Sequence, residues 1–232
     1  MRNKVFSLDS TLFQGVFKDS GQRLQTLARR GTYKDSFGHL DANGGALDLV
    51  IDQINLVETR KQEAEKVSKI LGIKSLSFWG ETDRALVNNH IITKKACQAI
   101  LETNPATVYF PGPLEVHPDH RTTALIVWEA LQRVRQENIY PEPISYEISV
   151  QNPINMLINI SDQIKTKQKA MDLYVSQNGQ NNYSELVLAL DKGRTFSLPN
   201  KVKFAEGFFR YQTKDLNLSF KEMTKLVIDL YL

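Results

Sequence analysis

A single cysteine, Cys97, occurs in the 232 residues. That excludes an internal disulfide framework and any thiolate cluster around a metal or redox centre, and it accords with a reducing, cytoplasmic setting. Nothing in the chain approaches the ~18–20 consecutive apolar residues that a membrane span needs. The start, MRNKVFSLDSTLFQG, is basic, but Ser7, Asp9 and Ser10 interrupt its apolar run too early for a signal sequence. Blocks of like charge are missing too, and the net charge of +3 comes from residues dispersed along the chain. Nucleic acid is therefore not an expected partner. KTKQKA (165–170), the most basic short stretch, reads as a solvated helix face. Histidine is also sparse, at four residues, yet two of them fall in LEVHPDHRTT (114–123).

What is present suits one ordinary globular domain spanning 1–232, because 41% hydrophobic residues are enough for one full core. Helical and strand patterns alternate. ETRKQEAEKVSKIL (58–71) sets Ala64, Val67, Ile70 and Leu71 on one face, with Gly72 as a stop. SLSFW (75–79) reads as a strand and KKACQAILE (94–102) as a helix that Asn104 and Pro105 break; TVYF (107–110) is again a strand. TALIVWEALQRV (123–134) is helical, ISYEISV (144–150) and NMLINI (155–160) are strands, and Ser161 and Asp162 can cap a helix through KTKQKAMDLYVSQ. This order predicts an α/β fold, a Rossmann-like, mainly parallel sheet flanked by helices. Residues 31–56, rich in glycine at their centre, read as a long loop. Tyr109, Phe110, Trp128 and Phe208 are expected in the core.

His117, Asp119 and His120 lie just past the strand that ends near Phe110, where open α/β sheets gather their ligands. Pro118 suits the first turn of the following helix. Imidazole and carboxylate there can hold a divalent metal or move a proton near neutral pH. The alternative is a capping Asp119 flanked by solvated histidines.

HPDH after a strand, preceded by ETRKQEAEKVSKILGI and FWGETD and followed by SYE, KQKA, YVSQ and AEGFF, resembles the PIG-L, or LmbE-like, family of zinc-dependent N-deacetylases from about residue 57 to 210. The resemblance implies a Rossmann-like fold and removal of acetyl groups from N-acetylglucosamine in small glycosides, phosphoinositides or glycan intermediates. The implied partner is thus a small acetamido-sugar substrate; the oligomeric state is left open. It also makes His120 a zinc ligand, and His117 the histidine that, protonated, steadies the oxyanion and helps the amine leave. Asp119 would orient these neighbours. Arg60 and Asp83 match a family arginine and acid near the sugar. For these two the alternatives are a salt bridge from Arg60 to Glu63 or a neighbouring acid on a solvated helix, and a turn closed by Asp83.

The N-terminus departs from the family. Its relatives carry a PHPDDE-like motif that supplies a histidine ligand, a general-base aspartate and a metal-binding aspartate, and this chain has none. The nearest counterpart is DSTLFQG (9–15). Without gaps, Asp9 falls on the metal-binding aspartate, Leu8 on the base and Phe6 on the histidine. Shifted by one, Asp9 becomes the base, Ser10 replaces the metal ligand and Ser7 the histidine. His39 or His90 are the remaining candidates for a further ligand. The expectations are then a divergent N-deacetylase with Asp9 in the site, a sugar-binding or regulatory relative, or a chain whose complete motif lies upstream.

Overall fold

The computed structural model describes the backbone of residues 4–9, 13–18, 46–148, 150–178 and 182–231, and side chains from Leu56 onward within these. Its centre is a seven-stranded sheet in the order β3-β2-β1-β4-β5-β7-β6. The strands are β1 (Lys4–Asp9), β2 (Phe13–Lys18), β3 (Ser75–Ser77), β4 (Thr107–Pro111), β5 (Glu142–Tyr146), β6 (Met156–Asn159) and β7 (Ala205–Arg210). Pairings β1–β4 and β4–β5 are parallel, whereas β1–β2, β2–β3, β5–β7 and β6–β7 are antiparallel. Only β2 and β7 therefore run against the other strands. The sheet is mixed, with its parallel part at the centre.

The helices are α1 (Ala46–Leu71), α2 (His90–Thr103), α3 (Pro118–Val134), α4 (Ile164–Asp172), α5 (Val175–Asn178), α6 (Tyr183–Gly193) and α7 (Phe220–Ile228). The first of these corrects the long loop expected over 31–56, since α1 begins at Ala46. Leu47, Ile51 and Ile54 already have helical spacing, and the glycines just before them drew the boundary too late. Gly72 ends α1 at φ 68, with the Ile73 N–H donating to the Ser68 carbonyl, so the expected stop stands. KTKQKAMDLYVSQ is two helices, α4 and α5, and not one. Ser161 does not cap α4 but lies in a preceding 3-10 turn, its hydroxyl accepting from the backbone N–H of Lys203 and Phe204.

β4 is buried from Val108 onward and alternates between the two faces of the sheet. Val108 and Phe110 join the core formed by Ile92, Ala96 and Ile100 of α2 and Val127, Trp128 and Leu131 of α3. Tyr109 packs with Ile144, Tyr146 and Phe208. The four aromatics expected in the core are all buried. KTKQKA corrects the sequence reading, because Lys167 is fully buried and donates to Asp191 Oδ2 and Glu206 Oε1, both at 2.5 Å. The other charges of the stretch hid this one. Among the described residues, no helix is long and apolar enough to cross a membrane.

Candidate active site

Three segments that leave carboxyl ends of like-directed strands converge: 80–86 after β3, 112–117 after β4 and 147–152 after β5. The middle one carries HPDH. Gly112 anchors it through an N–H to the Tyr146 carbonyl at 2.9 Å, and a Cβ there would lie 2.9 Å from Asn152 Nδ2. A side chain at 112 would therefore have to displace the Asn152 amide, where the second and third segments come close. Pro118 opens α3, and the N-cap is His117, with Nδ1 accepting the Asp119 N–H at 3.2 Å. That overturns the reading of a capping Asp119 beside solvated histidines. His117 and His120 are buried, one helical turn apart, with ring centroids 4.9 Å apart.

The cap bond assigns the lone pair of His117 to Nδ1 and hence the proton of the neutral ring to Nε2. That nitrogen faces Asp83 Oδ1 at 3.6 Å. Burial, followed by the charge of His120, holds the His117 pKa below the usual histidine value, against the opposing pull of Asp119 and Asp83. The neutral ring is favoured near pH 7.

Asp119 is buried, and its oxygens serve the 80–86 segment: Oδ2 accepts the Arg84 N–H at 2.6 Å and Oδ1 the Leu86 N–H at 3.3 Å. Arg84 has φ 60, a left-handed conformation that costs a non-glycine residue about 1 kcal/mol or more. The carboxylate holds this bend, which presents Asp83 to His117. Asp83 also lies in a turn, as the alternative reading had it, since the Ala85 N–H donates to the Thr82 carbonyl.

Arg60 is half-buried on α1. Desolvation lowers its pKa, and Asp83 is the strongest opposing charge, ahead of Glu63. The salt bridge proposed as an alternative gives way to another bond, because both Glu63 oxygens accept from Ser176, one from its N–H at 2.8 Å and one from its hydroxyl at 2.7 Å. Asp9 closes β1, which lies parallel to β4, at the edge where the HPDH segment leaves the sheet. Its side chain, His39, and the residues of DSTLFQG at 10–12 lie outside the described residues. His90 is exposed at the start of α2.

His120 is fully buried, and neither ring nitrogen has a hydrogen-bond partner among the described residues. Behind it stands an acid the sequence reading passed over. Glu115 is buried, with Oε2 3.9 Å from His120 Nδ1 and Oε1 accepting from the Ile148 N–H at 2.8 Å and from Asn152 Nδ2 at 3.1 Å. A second buried acid, Glu147, accepts from the Asn152 N–H at 2.8 Å and pairs with Arg194. The signal for Glu115 was an acid inside the otherwise apolar run YFPGPLEV. Asp83, His117 and Asp119 also bring a ligand atom each within 4.8 Å of one another. Asp119 already accepts two backbone N–H groups.

Fold and site together define an open α/β protein with imidazoles and carboxylates at the carboxyl edge of its sheet. The chain is similar to the family whose model is described as PIG-L, GlcNAc-PI de-N-acetylase, and that model matches residues 18–131. It is 26% identical over 176 residues to a probable N-acetyl-alpha-D-glucosaminyl L-malate deacetylase 2 of Bacillus anthracis, covering 70% of this chain and 74% of the relative. The fold matches that of the N,N'-diacetylchitobiose deacetylase of Pyrococcus horikoshii at a TM-score of 0.58 and 19% identity, over 72% of this chain and 69% of that one. It also matches the 4-carboxy-2-hydroxymuconate hydratase GalB of Pseudomonas putida at a TM-score of 0.60 and 17% identity, over 83% and 90%. Fold alone thus spans two chemistries.

Proposed function

We propose that this chain is a metal-dependent N-deacetylase that hydrolyses the acetamide of an N-acetylglucosamine-containing small glycoside or glycan intermediate in the cytoplasm. The observation that carries the reading is His120, whose two buried ring nitrogens lack hydrogen-bond partners among the described residues. Leaving a buried polar group unpaired costs about 1–3 kcal/mol, and a cation on Nε2 relieves one such cost. Imidazole with carboxylate suits zinc. His120 and Asp9 would hold the ion, Asp9 by its match to the family pattern. When bound, such an ion polarises the acetamide carbonyl and makes water a nucleophile near neutral pH.

The chain's own residues do the rest. His117 donates a hydrogen bond from Nε2 to the oxygen on which charge develops, a task the neutral ring can perform while keeping its proton; the leaving amine takes up the proton that the attacking water gives up. Asp119 keeps the 80–86 segment bent, so that Asp83 and Arg60 meet the sugar hydroxyls from the rim. A second reading, a sugar-binding relative without turnover, is favoured by the segment before DSTLFQG, where in the ungapped register Phe6 and Leu8 stand in place of the family's histidine and base.

Elemental analysis separates the two. Zinc should co-purify at a substantial fraction of one ion per chain, and His120→Ala should remove it. A metal-free wild type that also takes up no added zinc supports the binding protein instead.

A further inference from the structure

Resting on the metal reading above, we infer that Glu115 is the positioning residue for His120: its Oε2 receives the proton of Nδ1 and so turns the Nε2 lone pair toward the ion. The two side chains face each other in a closed space, Glu115 1% and His120 0% exposed. Their 3.9 Å separation lies about 1 Å beyond a hydrogen bond. Nothing else among the described residues bonds His120 Nδ1. Carboxylates commonly take the second N–H of a metal-bound imidazole, which fixes both tautomer and ring orientation.

Glu115 is itself held from behind. Oε1 carries the Ile148 N–H and the Asn152 amide, both from the segment after β5. The other oxygen, Oε2, faces the ring. Asn152 is fixed in turn, its N–H donating to Glu147 and its carbonyl accepting from Arg194.

A purely structural role is the competing account, with Glu115 tying the 147–152 segment to the HPDH segment. Glu115→Gln tells the two apart. The glutamine oxygen keeps both donors at the Oε1 position, so its NH2 must occupy the other and point a proton at His120 Nδ1. The imidazole proton is driven to Nε2, the nitrogen that should bind the ion, while the tie between segments survives.

The readout is the tautomer of His120 in metal-free protein, from long-range 15N–1H correlation spectra with the signal assigned by its loss in His120→Gln. Zinc affinity is measured alongside by competition with a chromophoric chelator. The wild type should show Nδ1–H, and Glu115→Gln should show Nε2–H, bind zinc roughly 10–100-fold more weakly and melt as the wild type does. A wild-type ring already protonated on Nε2, or a tautomer unchanged in Glu115→Gln, overturns the inference. A wild type with the Nδ1–H ring that binds no zinc supports the Glu115–His120 pair and removes the metal reading instead.

Discussion

Replacing Asp119 by alanine removes the carboxylate that holds the 80–86 bend, and the structure sets the size of the effect. Two backbone donors, Arg84 N at 2.6 Å and Leu86 N at 3.3 Å, lose a charged acceptor. Bonds to a charged group contribute about 1.5–3 kcal/mol each. Two corrections lower the sum. The segment is largely exposed from Gly80 to Ala85, so water can take over part of the bonding, and Arg84, freed from φ 60, regains about 1 kcal/mol. The expected net loss is about 2 kcal/mol, a sizeable part of the ~5–15 kcal/mol typical of a domain. With a urea slope of about 2–3 kcal/mol/M for a chain of this size, the midpoint should fall by roughly 1 M. Urea unfolding of metal-free protein, followed by tryptophan fluorescence, measures it. On substrate, the same variant should raise KM, because Asp83 is no longer presented. A midpoint within about 0.2 M of wild type, together with an unchanged KM, would refute the assignment of Asp119 as the holder of this segment.

Lys167→Met should destabilise by about 3–5 kcal/mol, because it removes the ammonium that Asp191 and Glu206 share in the interior; a thermal melt matching wild type would contradict the buried triad. His117 adds a pH dependence. Its folded pKa lies below the unfolded value of about 6.5, so as the pH falls past 6.5 the unfolded chain takes up the proton first. The contribution to stability is therefore complete above about pH 6.5 and is lost as the pH falls toward the lowered folded value. In urea titrations of metal-free protein between pH 7 and pH 5, His117→Asn should show a shallower decline than wild type, and an equal decline would mean the ring is not held neutral.

The HPDH cluster was legible because its chemistry is local: residues three apart share a helix face, and Pro118 marks where that helix begins. The alternation of β3, α2, β4 and α3 was legible for the same reason, since each element carries its own periodicity and stops. Lys167 was not, because its partners lie 24 and 39 residues away and its neighbours are all polar. Glu115 was hidden likewise: what it does depends on Ile148 and Asn152, which only the parallel pairing of β4 and β5 brings alongside. The strand β7 was quoted in AEGFF as a motif, yet its antiparallel insertion between β5 and β6 has no local signature. Asp9 could be set at the right edge of the sheet from the parallel β1–β4 register, but not in a role.

The most direct test of the account is acetate release from a panel of N-acetylglucosamine glycosides by zinc-loaded protein, with His120→Ala run beside it. The account predicts turnover that a chelator stops and zinc restores, and none in His120→Ala. Contradiction would be a zinc-loaded wild type that binds these glycosides and releases no acetate, or a His120→Ala variant that releases it as fast as wild type.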